Sequence, residues 1–175
     1  MDVMRSCSRA LDADGWSNEE LYVIYLGRGV AYGQMGDHYD AIDDYAQAMS
    51  LFPQRGLTYH LIGGHLQWLG EYWGAVEMYS EGIDADPKYG GNYIARILIA
   101  CMLGQNIDVY SDVYLFFSTI PNGKFLGGIQ ETLQSAGFYS GPIDGLRNEA
   151  TVEAYRRAIT VECLACRTAD CETQS

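Results

Sequence analysis

Three histidines, five cysteines and a short acidic run are the side chains of this 175-residue sequence best suited to chemistry. His60 and His65 stand five apart in a helical pattern, so they point in different directions and do not share a metal. His38 falls in a turn. All three read as surface or hydrogen-bonded histidines. Cys163, Cys166 and Cys171 supply three thiols with no nearby histidine to complete a four-coordinate zinc site. Their Cys-x-x-Cys pair also lacks the βαβ surroundings of a thiol–disulfide oxidoreductase. In an oxidising compartment they would form one disulfide within the C-terminal tail, or from it to Cys7, and the odd total leaves one thiol over. Cys101 lies in an apolar helical pattern and reads as simply buried. Asp40, Asp43 and Asp44 read as solvated charge on an exposed helix turn. The sequence holds no nucleophile–base arrangement, phosphate loop or paired carboxylate. It predicts a protein that is not an enzyme and needs neither cofactor nor metal.

Composition narrows the partners. At 48% hydrophobic and 13% aromatic the chain is globular, and 175 residues suffice for one or two domains with a real core. A net charge of −12 argues against nucleic acid and against an anionic membrane surface, because phosphate contacts need Lys and Arg. Up to residue 86 there are 14 acidic side chains against 4 basic. A solvated acidic outer face is the leading reading, and attraction of a basic partner is the other. No stretch of 18 apolar residues occurs, so no membrane insertion is expected, and residues 1–20 lack the apolar run of a secretory signal. That leaves a cytoplasmic protein, or a periplasmic or cell-envelope protein whose leader has been removed.

The elements that would position these residues follow a 34-residue lattice. Pro53, Pro87 and Pro121 are 34 apart, and so are Gly36, Gly70 and Gly104, and Tyr25, Tyr59 and Tyr93. Small residues at Gly29, Ala41 and Ala48 allow close helix approach, and Tyr25, Tyr32 and Tyr45 fill the gaps. Gly36 supplies a helix end tolerant of positive φ, and Pro53 closes the following helix. The period is that of a stacked helix–turn–helix unit. Helices are expected at 18–35, 39–52, 56–69, 73–85, 90–103 and 106–119. Residues 4–11 read as a further short helix. Ser17 with Glu20 forms a capping box, and Trp16 is a packing residue.

On these positions residues 22–121 resemble three tetratricopeptide (TPR) repeats. The first is nearly complete: Tyr25, Gly29, Tyr32, Gly36, Ala41, Tyr45, Ala48 and Pro53. The second has Tyr59, Gly63, Leu66, Gly70, Ala75, Tyr79, Gly82 and Pro87. The third keeps Tyr93, Ala100, Gly104 and Pro121 but carries Val109, Val113 and Phe116 in its second helix. The resemblance implies an all-α solenoid, capped at its start by residues 1–21. It also implies a partner-binding groove lined by the first helix of each repeat. Those positions are Val23, Leu26, Val30 and Gln34, then Leu57, His60, Gly64, Gln67 and Trp68, then Ile94, Leu98 and Met102. The lining is mostly apolar. It lacks the Lys/Asn/Arg set that clamps a terminal carboxylate in chaperone-linked members, since Leu26 and Val30 occupy the key positions. An apolar groove of this kind holds a protein or peptide partner, or packs against the chain's own neighbouring segment.

Beyond Pro121 the texture changes. Gln130, Leu133, Gly137, Phe138, Gly141, Pro142, Asp144, Gly145, Thr151 and Ala154 follow an order and spacing similar to the peptidoglycan-binding domain 1 family. The resemblance covers 125–160, and a Cys-rich tail takes up 161–175. It implies a small helical module, with Tyr139, Asp144 and Arg147 as candidate contacts to peptidoglycan and Phe138 in the core. Asp144 itself reads as a turn residue. Ala158 and Ile159 stand where the family has an aromatic and a Gln, and its third helix is missing. The resemblances together imply a non-catalytic binding protein of a bacterial cell envelope. The alternative is a cytoplasmic adaptor whose C-terminal module is only a structural cap, and a third option is a subunit beside a separate catalytic chain.

Overall fold

The computed structural model describes residues 3–104 and 109–168, with side chains described at 3–104 and 111–161. Every regular element among them is an α-helix: α1 (Val3–Leu11), α2 (Asn18–Met35), α3 (His38–Leu51), α4 (Gly56–Trp68), α5 (Tyr72–Ala85), α6 (Gly90–Leu103), α7 (Val109–Thr119), α8 (Lys124–Ser135) and α9 (Glu149–Thr168). The six repeat helices fall within a residue or so of their expected bounds, except that α7 is described from Val109. The chain divides into two compact units, Met1–Asn92 and Tyr93–Ser175. The third hairpin therefore groups with the C-terminal helices, and the division lies 92/93 rather than at Pro121. Residues 161–168, assigned from the sequence to a separate tail, continue α9.

In unit 1, α2 packs on α3, α3 on α4 and α4 on α5. The 34-residue lattice is visible in the turns. Gly36 and Gly70 are left-handed at φ 86° and 77°. In each case the next N–H reaches back over the helix end, Asp37 N–H to Tyr32 O and Glu71 N–H to Leu66 O. Packing repeats as well. A Cβ added to Gly29 would lie 2.6 Å from the Tyr45 ring, and one added to Gly63 would lie 2.5 Å from the Tyr79 ring. Both tyrosines are fully buried. At the same register the third hairpin has Ile97 and Val113, both buried, so it fills the space from both sides with aliphatic carbon. That is why its sequence departs from the pattern.

Asp44, read from the sequence as solvated, is 3% exposed. Arg28 of α2 grips it with two hydrogen bonds of 2.7 Å each, a fork-to-fork pair. Arg96 of α6 grips Asp112 of α7 in the same way, at 2.8 and 2.6 Å. Each Arg and Asp recurs after two lattice periods. The second hairpin has Ile62 and Met78 at these positions, with Ile62 buried and Met78 packed beside it. Two hairpins are thus pinned by charge and one by hydrocarbon.

α1 covers the outer side of α2, where Arg28 also donates to Ser8. Trp16 donates its indole N–H to Ala10 O at 2.8 Å, and Ser17 and Glu20 close the capping box in both directions.

In unit 2, α9 packs on α7 and α8. Cys101, read as a plain buried thiol, is half-buried and disulfide-bonded, whereas Cys7 is free. The readings made for Cys163, Cys166 and Cys171 fall outside the described side chains.

Candidate functional site

In unit 1 the first helices of the two hairpins, α2 and α4, place two apolar rows at helical spacing. Val23, Val30 and Gln34 are exposed on α2, and Leu57 and Trp68 are exposed on α4. Trp68 is 79% exposed. Gly64 has nothing within 4 Å of where a side chain would begin, which leaves a shallow dip between Leu57 and Trp68 along the helix. In unit 2, Leu98 and Met102 of α6 are exposed and Ile94 is half-buried.

Three residues expected in the groove have other work. Leu26 packs against the cluster of Ala41, Tyr45 and Ile62. Gln67 accepts the Tyr79 hydroxyl through Oε1, which ties α4 to α5. His60 is half-buried, with the rings of Tyr79 and Tyr89 each 5.7 Å away. Burial holds its pKa below the ordinary value, with Asn92 acting the other way. Its Nδ1 and Asn92 Oδ1 are buried without closing a hydrogen bond.

His38 and His65, each read as a surface or hydrogen-bonded histidine, meet at Nδ1 to Nδ1, 2.8 Å apart. His38 is the first residue of α3 rather than a turn residue, and its ring stacks on Trp68. A separation of 27 residues fits no lattice period, so periodicity held no signal for this contact. No group of three or more His, Cys, Asp or Glu among the described residues is placed to hold a metal.

The candidate contacts of the C-terminal module divide. Tyr139 is 6% exposed and sits in a core cluster with Leu133 and Ala154, its hydroxyl donating to Pro142 O at 3.1 Å. Tyr139 is thus a core residue rather than a ligand contact, and Phe138, half-buried, packs against the same cluster as expected. Asp144 is a turn brace: its Oδ1 accepts from Leu146 N–H at 2.9 Å and from Gln130 Nε2 at 3.0 Å. Those bonds hold its carboxyl below the usual range, the backbone one first. Arg147 is exposed, its guanidinium donating to Phe117 O at 2.9 Å.

The motif's organising residue is Gln130, fully buried. Its Oε1 accepts from Gly145 N–H at 2.8 Å, and its Nε2 lies within 3.2 Å of Asp144 Oδ1, Leu146 O and Thr151 Oγ1. Gly145 itself passes so close to Gly123 that a Cβ would lie 2.5 Å from its carbonyl oxygen. The residues that carry the family resemblance thus build the turn.

Arg147 also borders a cavity of about 480 Å³ between α7 and α9, lined by Tyr114, Asn148, Glu149, Val152, Glu153 and Arg156. Tyr114 is 68% exposed there, and Arg156 pairs with Glu153 at 2.7 Å. The signal for Tyr114 in the sequence was its place on the polar side of α7, which the repeat reading did not assign.

Paired antiparallel helices at one register, with small-residue contacts and left-handed glycine turns, define an all-α fold of TPR-type helical hairpins. No family model matches the chain. Over 66 residues it is 40% identical to Small glutamine-rich tetratricopeptide repeat-containing protein 2 of Mycosarcoma maydis, a stretch that covers 38% of this chain and 19% of that protein. The chain thus spans about a fifth of that relative's length. Among solved structures it is similar to a crystal structure of MamA, with a TM-score of 0.57 and 19% identity over 94% of this chain and 88% of that one. A second MamA crystal structure gives the same TM-score and identity over 98% and 85%. At that identity the likeness is one of fold.

Proposed function

We propose that this is a non-catalytic binding protein that holds a protein or peptide partner against the exposed faces of α2 and α4. The observation that carries this reading is the row of solvent-facing Val23, Val30, Leu57 and Trp68 on otherwise well-packed helices. Large apolar side chains left in water at helical spacing suit an apolar segment of a partner. The relative's TPR-containing name is consistent with an interaction role. The test is a photo-crosslinking residue placed at Val30 or at Asp43, an exposed position on α3. A partner captured from Val30 and absent from Asp43 supports the reading, and equal capture from both contradicts it.

A second reading, that the C-terminal module anchors the protein to peptidoglycan in the bacterial envelope, is favoured by the cavity at Arg147. An exposed aromatic beside a few polar groups suits a glycan–peptide ligand. Tyr114 supplies the aromatic face that buried Tyr139 does not. Retention on insoluble peptidoglycan should fall for Tyr114→Ala and for Arg147→Glu. Equal retention of wild type and variants would leave the module as a structural element, and the cytoplasmic adaptor would be the better reading.

A further inference from the structure

His38 opens α3 and His65 lies in the last turn of α4, and their 2.8 Å contact joins one hairpin to the next. At that distance one imidazole donates N–H and the other accepts, so the rings hold opposite tautomers. The His38 ring stacks on the Trp68 indole, 6.0 Å between centroids and 9° from parallel. A bond that depends on proton count therefore supports the most exposed aromatic of the proposed docking face.

The bond tolerates one added proton and not two. A singly charged pair keeps it, because an imidazolium still donates from Nδ1 to a neutral partner. A second proton must occupy the accepting Nδ1, which sets two N–H groups and two positive charges against each other. His65 has little room to retreat. A Cβ on Gly33 would lie 2.5 Å from its Cε1, and the Tyr45 ring is 5.5 Å away. The side that can give way is that of His38 and Trp68, toward solvent.

The surrounding groups leave this step to the pair. On α3, the Tyr45 hydroxyl is pushed up to about 12 by burial and stays neutral. At the start of α5, Glu71 accepts a hydrogen bond from Tyr39, the residue after His38, and Asp37 precedes His38. α2 contributes Gly33 without charge. Burial first, then the charge of His38, holds His65 below the ordinary histidine value.

We propose that the His38–His65 pair is a proton-operated latch on Trp68, closed with zero or one added proton and released by the second. The proposal concerns the regulation of the α2/α4 docking face and rests on that reading for its purpose. Its test needs no partner. Long-range ¹H–¹⁵N spectra of the imidazoles, with the Trp68 indole N–H resonance, would be followed on the full chain from about pH 8 to about pH 5. One histidine should be Nδ1-protonated and the other Nε2-protonated at the alkaline end. The Trp68 resonance should then move in step with the second protonation. In His65→Gln the amide still accepts from His38 in either charge state and cannot titrate, so the Trp68 resonance should show only the single titration of its stacked neighbour and lack the second step. His38→Gln should behave alike and serves if the first variant folds poorly. Matching tautomers, a flat wild-type resonance, or equal movement in either variant would overturn the latch. A chain that passes these tests but shows no crosslinked partner at Val30 would refute the docking reading and leave the latch standing.

Discussion

Single residues in this protein are set by what their polar atoms must satisfy once buried. Gln130 is the clearest case, because one amide serves the Gly145 N–H and three acceptors around the turn. Gln130→Leu keeps the volume but strands the Gly145 N–H, and it should cost about 3 kcal/mol in unfolding free energy measured by urea titration. A loss near zero would show that water replaces the amide. His65 gives a pH dependence with a definite sign. Its folded-state pKa lies below the ordinary 6.5, so the unfolded chain binds more protons. Its contribution is therefore held above about 6.5 and lost as pH falls through the folded value. Acidification should lower the urea midpoint more for wild type than for His65→Gln, and parallel curves would contradict the assignment. At this scale the sequence was least readable. The Phe138 and Tyr139 side chains are adjacent and equally aromatic, and both reach the core cluster, Tyr139 buried with its hydroxyl on Pro142 O and Phe138 half-buried beside it.

At the scale of helices, the period carried most of the fold. Glycine turns, prolines and small-residue contacts are local and repeat every 34 residues, so helix bounds could be read from spacing alone. The Arg28–Asp44 and Arg96–Asp112 pairs were legible too, since both members recur after two periods, but an acidic run resembles solvated surface until a facing Arg is sought. The second hairpin shows that the fold accepts hydrocarbon in their place, Ile62 with Met78. Removing one partner leaves an unpaired charge, so Asp44→Ala should cost about 3 kcal/mol. Transplanting the second hairpin's solution, Arg28→Ile with Asp44→Met, should stay within about 1 kcal/mol of wild type. A double variant as damaged as the single one would mean that the ion pair, rather than its volume, is required. Gly29→Ala should also destabilise, by about 2 kcal/mol, because its Cβ would press on the buried Tyr45 ring.

For the molecule as a whole, the sequence placed the seven helices from residue 4 to residue 119 but grouped them differently. The third hairpin has Ile97 and Val113 where the others have Gly and Tyr, and it belongs to the unit that holds α8 and α9. The repeat resemblance pointed to Val30 and Trp68, which are exposed, but could not tell that Leu26, His60 and Gln67 turn inward, since carrying over helix-face positions does not report the neighbour's reach. No described helix is long and apolar enough to cross a membrane. The most direct measurement is the affinity of a partner captured at Val30 for wild type and for Trp68→Ala, by titration calorimetry, with helicity followed by circular dichroism. The account predicts a loss of about 2 kcal/mol, roughly thirtyfold in Kd, with helicity unchanged. Equal affinity for the two proteins would contradict it.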